Sequence, residues 1–178
     1  MIVSRTRILS MLALVLGLTL LVCFTVPAQA APQAGPKAGP IEPYKDTARV
    51  MTHSFAAALG GALTNVKNEK DRVDLIRSFI APVRFYADKS GYFYVYDSKC
   101  VNVAHAIQKD LQGKNLYDHK DAKGKYVIRA LLEAAKKGGG FVDFYWVKPG
   151  SKTEAAKLGY VEPIPGTDYF IGTGVYLP

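Results

Sequence analysis

Residues 84–97 read RFYADKSGYFYVYD, and the last seven of them, Gly91 to Asp97, are dense in aromatic and branched side chains. A Lys-Ser-Gly turn precedes this run and an Asp-Ser-Lys turn follows it, so the segment is expected to be a β-strand. Side chains alternate along a strand, which puts Tyr92, Tyr94 and Tyr96 on one face and Phe93 and Val95 on the other. Phenylalanine and valine suit a dry helix–sheet interface, whereas tyrosines carry a hydroxyl that needs a partner.

Upstream, Met51, Phe55, Leu59, Ala62, Val66, Val73, Ile76 and Ile80 recur at three- and four-residue spacings or their sums. That pattern is one face of a long amphipathic helix from Tyr44 to Ile80. Gly60-Gly61 is expected to kink or split it, and Pro82 to end it. Downstream, Val101–Ala106 reads as the hairpin partner of the first strand. A polar stretch follows, then a helix from about Lys125 to Lys137 stopped by Gly138-Gly139-Gly140. Phe141–Val147, Lys157–Glu162 and Tyr169–Tyr176 read as three more strands, joined by Pro149-Gly150 and Pro165-Gly166 turns. Short connections favour antiparallel pairing, so the fold class is α+β: a five-stranded antiparallel sheet with the long helix packed on one face.

The N-terminus has the order of a secretory leader. Arg5 and Arg7 precede the apolar run Ile8–Val26, and Ala28-Gln29-Ala30 supplies a small-x-small cleavage site. Residues 1–30 are therefore read as a signal peptide cut after Ala30, 31–43 as a flexible Ala/Pro/Gly tether and 44–178 as one folded domain. An uncleaved N-terminal anchor is the other reading, since the run approaches the length that spans a bilayer. A lipid-bearing Cys23 is disfavoured by the bulky Val22 before it. The expected location is periplasmic or secreted, with no stable membrane span after cleavage.

Without the leader only Cys100 remains, so no intramolecular disulfide supports the fold. Removing the two leader arginines from the formal charge of +8 leaves +6, a basic surface that concentrates anions. Nucleic acid is a poor partner, because no basic run interleaved with aromatics occurs. Asp118, His119 and Asp121 do not make a calcium loop, since the twelfth position from Asp118 is Arg129, and the histidines and Cys100 lack zinc-ligand spacing. No nucleophile elbow, metalloprotease pair or phosphate-cradling loop is present, so neither catalysis nor a cofactor is expected.

The succession RFYADKSGYFYVYD (84–97), VAH (103–105), LQGKNL (111–116), GGGFVDFYWVKPG (138–150), KLGYV (157–161) and IPGTDYFIGTGVYL (164–177) resembles a single Cache domain, the extracellular sensor fold of bacterial chemoreceptors and histidine kinases. The resemblance covers the chain from about Arg84 onward, and the helical half matches in architecture only. It implies a PAS-like sheet and a ligand pocket between the face away from the long helix and the loop-helix insertion. It also implies a small metabolite, often an organic acid, as ligand. The sequence ends two residues after Tyr176, so the expectation is that a signal either passes to a separate protein, such as a membrane-bound receptor or sensor kinase, or is absent.

A buried carboxylate needs charge-assisted donors. Lys157, in the Lys-Leu-Gly-Tyr-Val motif, leads the candidates for anion pairing, and Arg84 is a second, with a structural salt bridge to Asp88 or Asp97 as its rival role. His105 is taken as a ligand hydrogen-bonder through the resemblance. Tyr92 and Tyr94 are placed on the ligand face, with Tyr96 more plainly coating the sheet. In the third strand Tyr145 is preferred over Trp146, because Val142, Phe144 and Trp146 form the more apolar set, and Tyr160 completes the candidates. The rival function is an envelope module that docks on a receptor or kinase and has no ligand of its own.

Overall fold

In the computed structural model, which describes residues 41–177, the chain enters through α1 (Glu42–Leu63) and α2 (Glu69–Ile80). The leader and most of the tether lie outside the described residues. Glu42 and Pro43, read as tether, already belong to α1, because proline fits a helix's first turn, where its missing N–H has no partner to lose. The expected single helix is split, but not at its glycines. α1 runs through Gly60-Gly61, and α2 restarts after Asn68, whose side chain caps it by accepting the Asp71 N–H at 3.2 Å. Gly60 answers to packing instead: a Cβ there would sit 2.9 Å from the Pro165 carbonyl oxygen. α2 ends at Ile80, two residues ahead of Pro82.

The sheet is built from β1 (Tyr94–Asp97), β2 (Asn102–His105), β3 (Gly140–Val147), β4 (Glu154–Pro163) and β5 (Tyr169–Tyr176). Its order is β2-β1-β5-β4-β3 and every pairing is antiparallel. The last strand thus takes the centre, and all eight of its residues are buried. β1 begins three residues later than expected, because Gly91 bridges back to Phe85, whose ring occupies the space a side chain would need.

α1 packs on β4 and β5 from one side, and Phe93 stacks on Phe55 of α1 with ring centroids 4.3 Å apart. The Phe/Val face of the first strand therefore meets the helix, as alternation requires. α3 (Val127–Lys136) packs on β3 and β4 from the opposite side, burying Val127, Ile128, Leu131, Leu132 and Ala135. Gly138, at φ 93°, ends it by donating its N–H to the Ala135 carbonyl. The loop before α3 is tied down by Asp121, which accepts the N–H groups of Lys123, Lys125 and Tyr145. Burial pushes this carboxyl's pKa up, but those donors outweigh it and hold it below its usual range. Asp118 pairs with Arg129, so the polar cluster ahead of α3 has a structural job. Among the described residues no group of three or more His, Cys, Asp or Glu is placed to hold a metal.

Candidate functional site

Register assembles the site on the α3 side of the sheet. Tyr94 lies between His105 on β2 and Gly172 on β5, and Lys157 lies between Phe144 on β3 and Tyr176 on β5. Three glycines make the floor. A Cβ at Gly172 would come within 2.6 Å of the Tyr94 ring, one at Gly159 within 2.6 Å of Phe144, and one at Gly174 within 3.0 Å of Lys157 Cε. Their missing side chains let the tyrosine and lysine lie flat along the sheet. Val127, Ile128 and Leu131 of α3 close the roof, and Phe144 and Trp146 of β3 form one wall. The cavity enclosed is about 10 Å³, roughly one water molecule.

Lys157 Nζ is the odd atom in this cavity. Its side chain is 1 % exposed, and among the described residues Nζ has no hydrogen-bond partner. It sits over aromatic rings instead, 4.0 Å from the Tyr92 centroid, 4.8 Å from Tyr176 and 5.6 Å from Tyr94. Ring quadrupoles soften the cost of the charge without cancelling it. Burial holds the amine's pKa down at about 7.

His105 is prepared differently. Its Nδ1 accepts the N–H groups of Gln108 at 2.9 Å and Ile107 at 3.3 Å, which puts the ring proton on Nε2. Burial, then the charges of Lys157 and Arg84, drive its pKa down to about 3, so it stays a neutral donor. Tyr176 donates to the Val147 carbonyl at 2.8 Å and receives the Tyr92 hydroxyl at 3.1 Å, while Tyr94 donates to the Thr173 carbonyl at 3.3 Å. Burial raises all three phenols, Tyr176 to about 12, so their protons stay on. Trp146 Nε1 donates to Gln108 Oε1 at 2.7 Å. Among the described residues no carboxylate lines the cavity; its free chemistry there is one unpaired amine, one imidazole N–H and aromatic walls.

Of the residues expected from sequence, Lys157, His105, Tyr92 and Tyr94 come together here, and Tyr96, expected to coat the sheet, joins them. Three lie elsewhere. Arg84 spends its guanidinium on the carbonyls of Ala81, Val83 and Ala106, stitching the end of α2 to β2. Tyr160 projects toward α1 and donates to Glu162, which also pairs with His53. Tyr145 faces away from the cavity, with Lys123 over its ring at 5.5 Å, and Trp146 takes the place assigned to it. The apolar set Val142, Phe144 and Trp146 does face the core, but core and cavity share that side of the sheet. Phe144 and Trp146 were missed because their phase follows from the pairing of Phe144 with Lys157, which no local pattern carries.

A PAS-like antiparallel sheet with a long helix behind it and a small chamber in front defines a sensor-domain architecture. The chain belongs to the Cache domain family, whose model matches residues 50–178. It is 40% identical over 89 residues, half of this chain, to the sensor histidine kinase MctS of Rhizobium johnstonii, and the match spans 19% of that kinase's length. The crystal structure of a methyl-accepting chemotaxis protein from Vibrio parahaemolyticus superimposes with a TM-score of 0.65 at 33% identity, covering 76% of this chain and 90% of that one. A Cache chemosensory domain described for its carboxylic acid recognition shares the fold with a TM-score of 0.64 at 23% identity, over 79% of this chain and all of its own. The relatives are sensor domains of chemoreceptors and kinases.

Proposed function

We propose that this domain binds a short organic carboxylate outside the cytoplasm, in the chamber under α3, and transforms nothing. Lys157 supplies the counter-charge, His105 Nε2–H a neutral hydrogen bond, and Tyr92, Tyr94 and Trp146 the walls. The observation that carries this is the buried, unpartnered Nζ of Lys157. A lone amine out of water is costly, and a carboxylate placed against it restores a charge-assisted hydrogen bond. The chamber of about 10 Å³ holds about one water as it stands, so even acetate requires it to widen, which favours guests of only a few heavy atoms. Among the described residues no helix is long and apolar enough to cross a membrane; the periplasmic or secreted location rests on the leader. The signal is read by a membrane-bound receptor or sensor kinase.

A thermal-shift screen with acetate, propionate, lactate, succinate, amino acids and purines tests this. Short carboxylates raise Tm in a concentration-dependent way, worth about 2.7 kcal/mol at a hundredfold excess over Kd. Lys157→Met and His105→Ala remain folded and lose the shift. A flat screen together with a stable co-purifying envelope protein supports a docking module instead, and variants that bind as tightly as the parent remove the site.

A further inference from the structure

Lys157 is buried, so an anion needs a route to it. Trp146 separates the cavity from an outer cleft of about 80 Å³, whereas Tyr176, just beyond the cavity lining, stands between Lys157 and a much larger one. Tyr176 ends β5 and is the direct cross-strand neighbour of Lys157. On its inner side the ring lies 4.8 Å from Lys157 Nζ. On its outer side it forms part of the wall of a second cleft, about 470 Å³, bordered also by Tyr44, Tyr86, Asp88 and Lys148. Lys148 stands over the outer ring at 5.8 Å and is paired with Asp88 at 3.0 Å, which sets an ion pair at the mouth.

Two neutral hydrogen bonds hold the ring shut, one to the Val147 carbonyl and one from the Tyr92 hydroxyl. Water in the cleft replaces both when the side chain turns outward, so their loss is cheap, and the cleft has room for a phenol. Entry through the roof is a different proposition, because lifting Val127, Ile128 and Leu131 off the sheet exposes apolar surface with nothing to replace it.

We infer that Tyr176 is the gate of the Lys157 chamber and that the 470 Å³ cleft is its vestibule, from which a guest passes to Lys157 when the ring swings aside. The inference rests on the chamber taking an anion, but its geometry is testable without one.

Reductive methylation with formaldehyde and a borane reductant, followed by peptide mass spectrometry, reads the exposure of each lysine. In the parent protein Lys157 reacts at least tenfold more slowly than the exposed Lys70. Tyr176→Ala raises the Lys157 rate tenfold or more, and Tyr176→Phe, which keeps the ring but loses both hydrogen bonds, raises it a few-fold. The buried thiol of Cys100, titrated with a maleimide, stays protected in both variants. Unchanged Lys157 protection in both variants overturns the gate, and so does a rise matched by equal exposure of Cys100, which is general loosening. With propionate as probe, stopped-flow fluorescence of Trp146, the single tryptophan, shows Tyr176→Phe speeding association and dissociation together, with Kd held within about twofold. If propionate gives no signal in the parent, the anion-binding proposal fails while the labelling rates still decide the gate.

Discussion

The amine of Lys157 has a pKa of about 7 in the fold, against 10.5 for the free group. Between those values the unfolded chain holds one proton more than the folded one, so stability rises with pH across that window and falls again as pH drops to about 7. Below about 7 both forms are protonated and the cost stays constant. Lys157→Met removes the group, flattens the rise and stabilises the protein at pH 7 by about 1–3 kcal/mol, the usual cost of a buried unsatisfied polar group. Urea unfolding at pH 6.5, 8 and 9.5 measures this, and a variant less stable than the parent throughout contradicts it. At this scale the sequence was informative about Lys157 and His105 only through the resemblance, since a lysine at a strand start and a lone histidine carry no local sign of burial. Arg84 misled for a physical reason: a guanidinium satisfies backbone carbonyls as well as it does carboxylates, and three carbonyls converge on it.

The neighbouring glycines of α1 show what an element's pattern conceals. Both read as helix breakers, yet neither breaks the helix. Gly60 faces the turn at Pro165, where an added methyl meets a carbonyl oxygen at 2.9 Å, while Gly61 has nothing within 4 Å. Gly61→Ala therefore stabilises the protein by about 0.5–1 kcal/mol through helix propensity, and Gly60→Ala destabilises it by about 1–3 kcal/mol through overpacking. Thermal unfolding of the two variants checks the pair, and equal shifts of the same sign contradict it. Apolar periodicity located the helical faces, and aromatic and branched runs between turns located the five strands, although α1 and α2 read as one helix and the short 3-10 turn Lys109–Leu111 was not expected. The ends were less legible: the split of α1 from α2 depends on the Asn68 cap, and the late start of β1 depends on the Phe85–Gly91 bridge. The face of β3 that meets the chamber required its register with β4, a long-range property.

Across the whole molecule, β4 and β5 are shared between two tasks. One face carries Lys157 in the chamber and Tyr176 beside it, and the other packs against α1. Alternation along single strands thus sets the chamber and a structural helix on opposite faces of the same strands. Antiparallel pairing was legible from short connections, but the central position of β5 was not, because the order β2-β1-β5-β4-β3 separates the two sequence neighbours β2 and β3 to opposite edges. The chamber exists only once that order is formed, since Tyr94 on β1 and Lys157 on β4 both flank β5.

Carboxylate binding draws Lys157 toward its charged form, so affinity is highest below pH 7 and falls up to tenfold per pH unit above it. Calorimetric titration with propionate at pH 6 and pH 8.5, repeated in two buffers of different ionisation enthalpy, reads affinity and proton uptake together. Tighter binding at pH 6, uptake approaching one proton at pH 8.5 and no binding to Lys157→Met are the expected results. An affinity indifferent to pH with no proton exchanged, or Lys157→Met binding as the parent does, contradicts a buried lysine as the anion's partner.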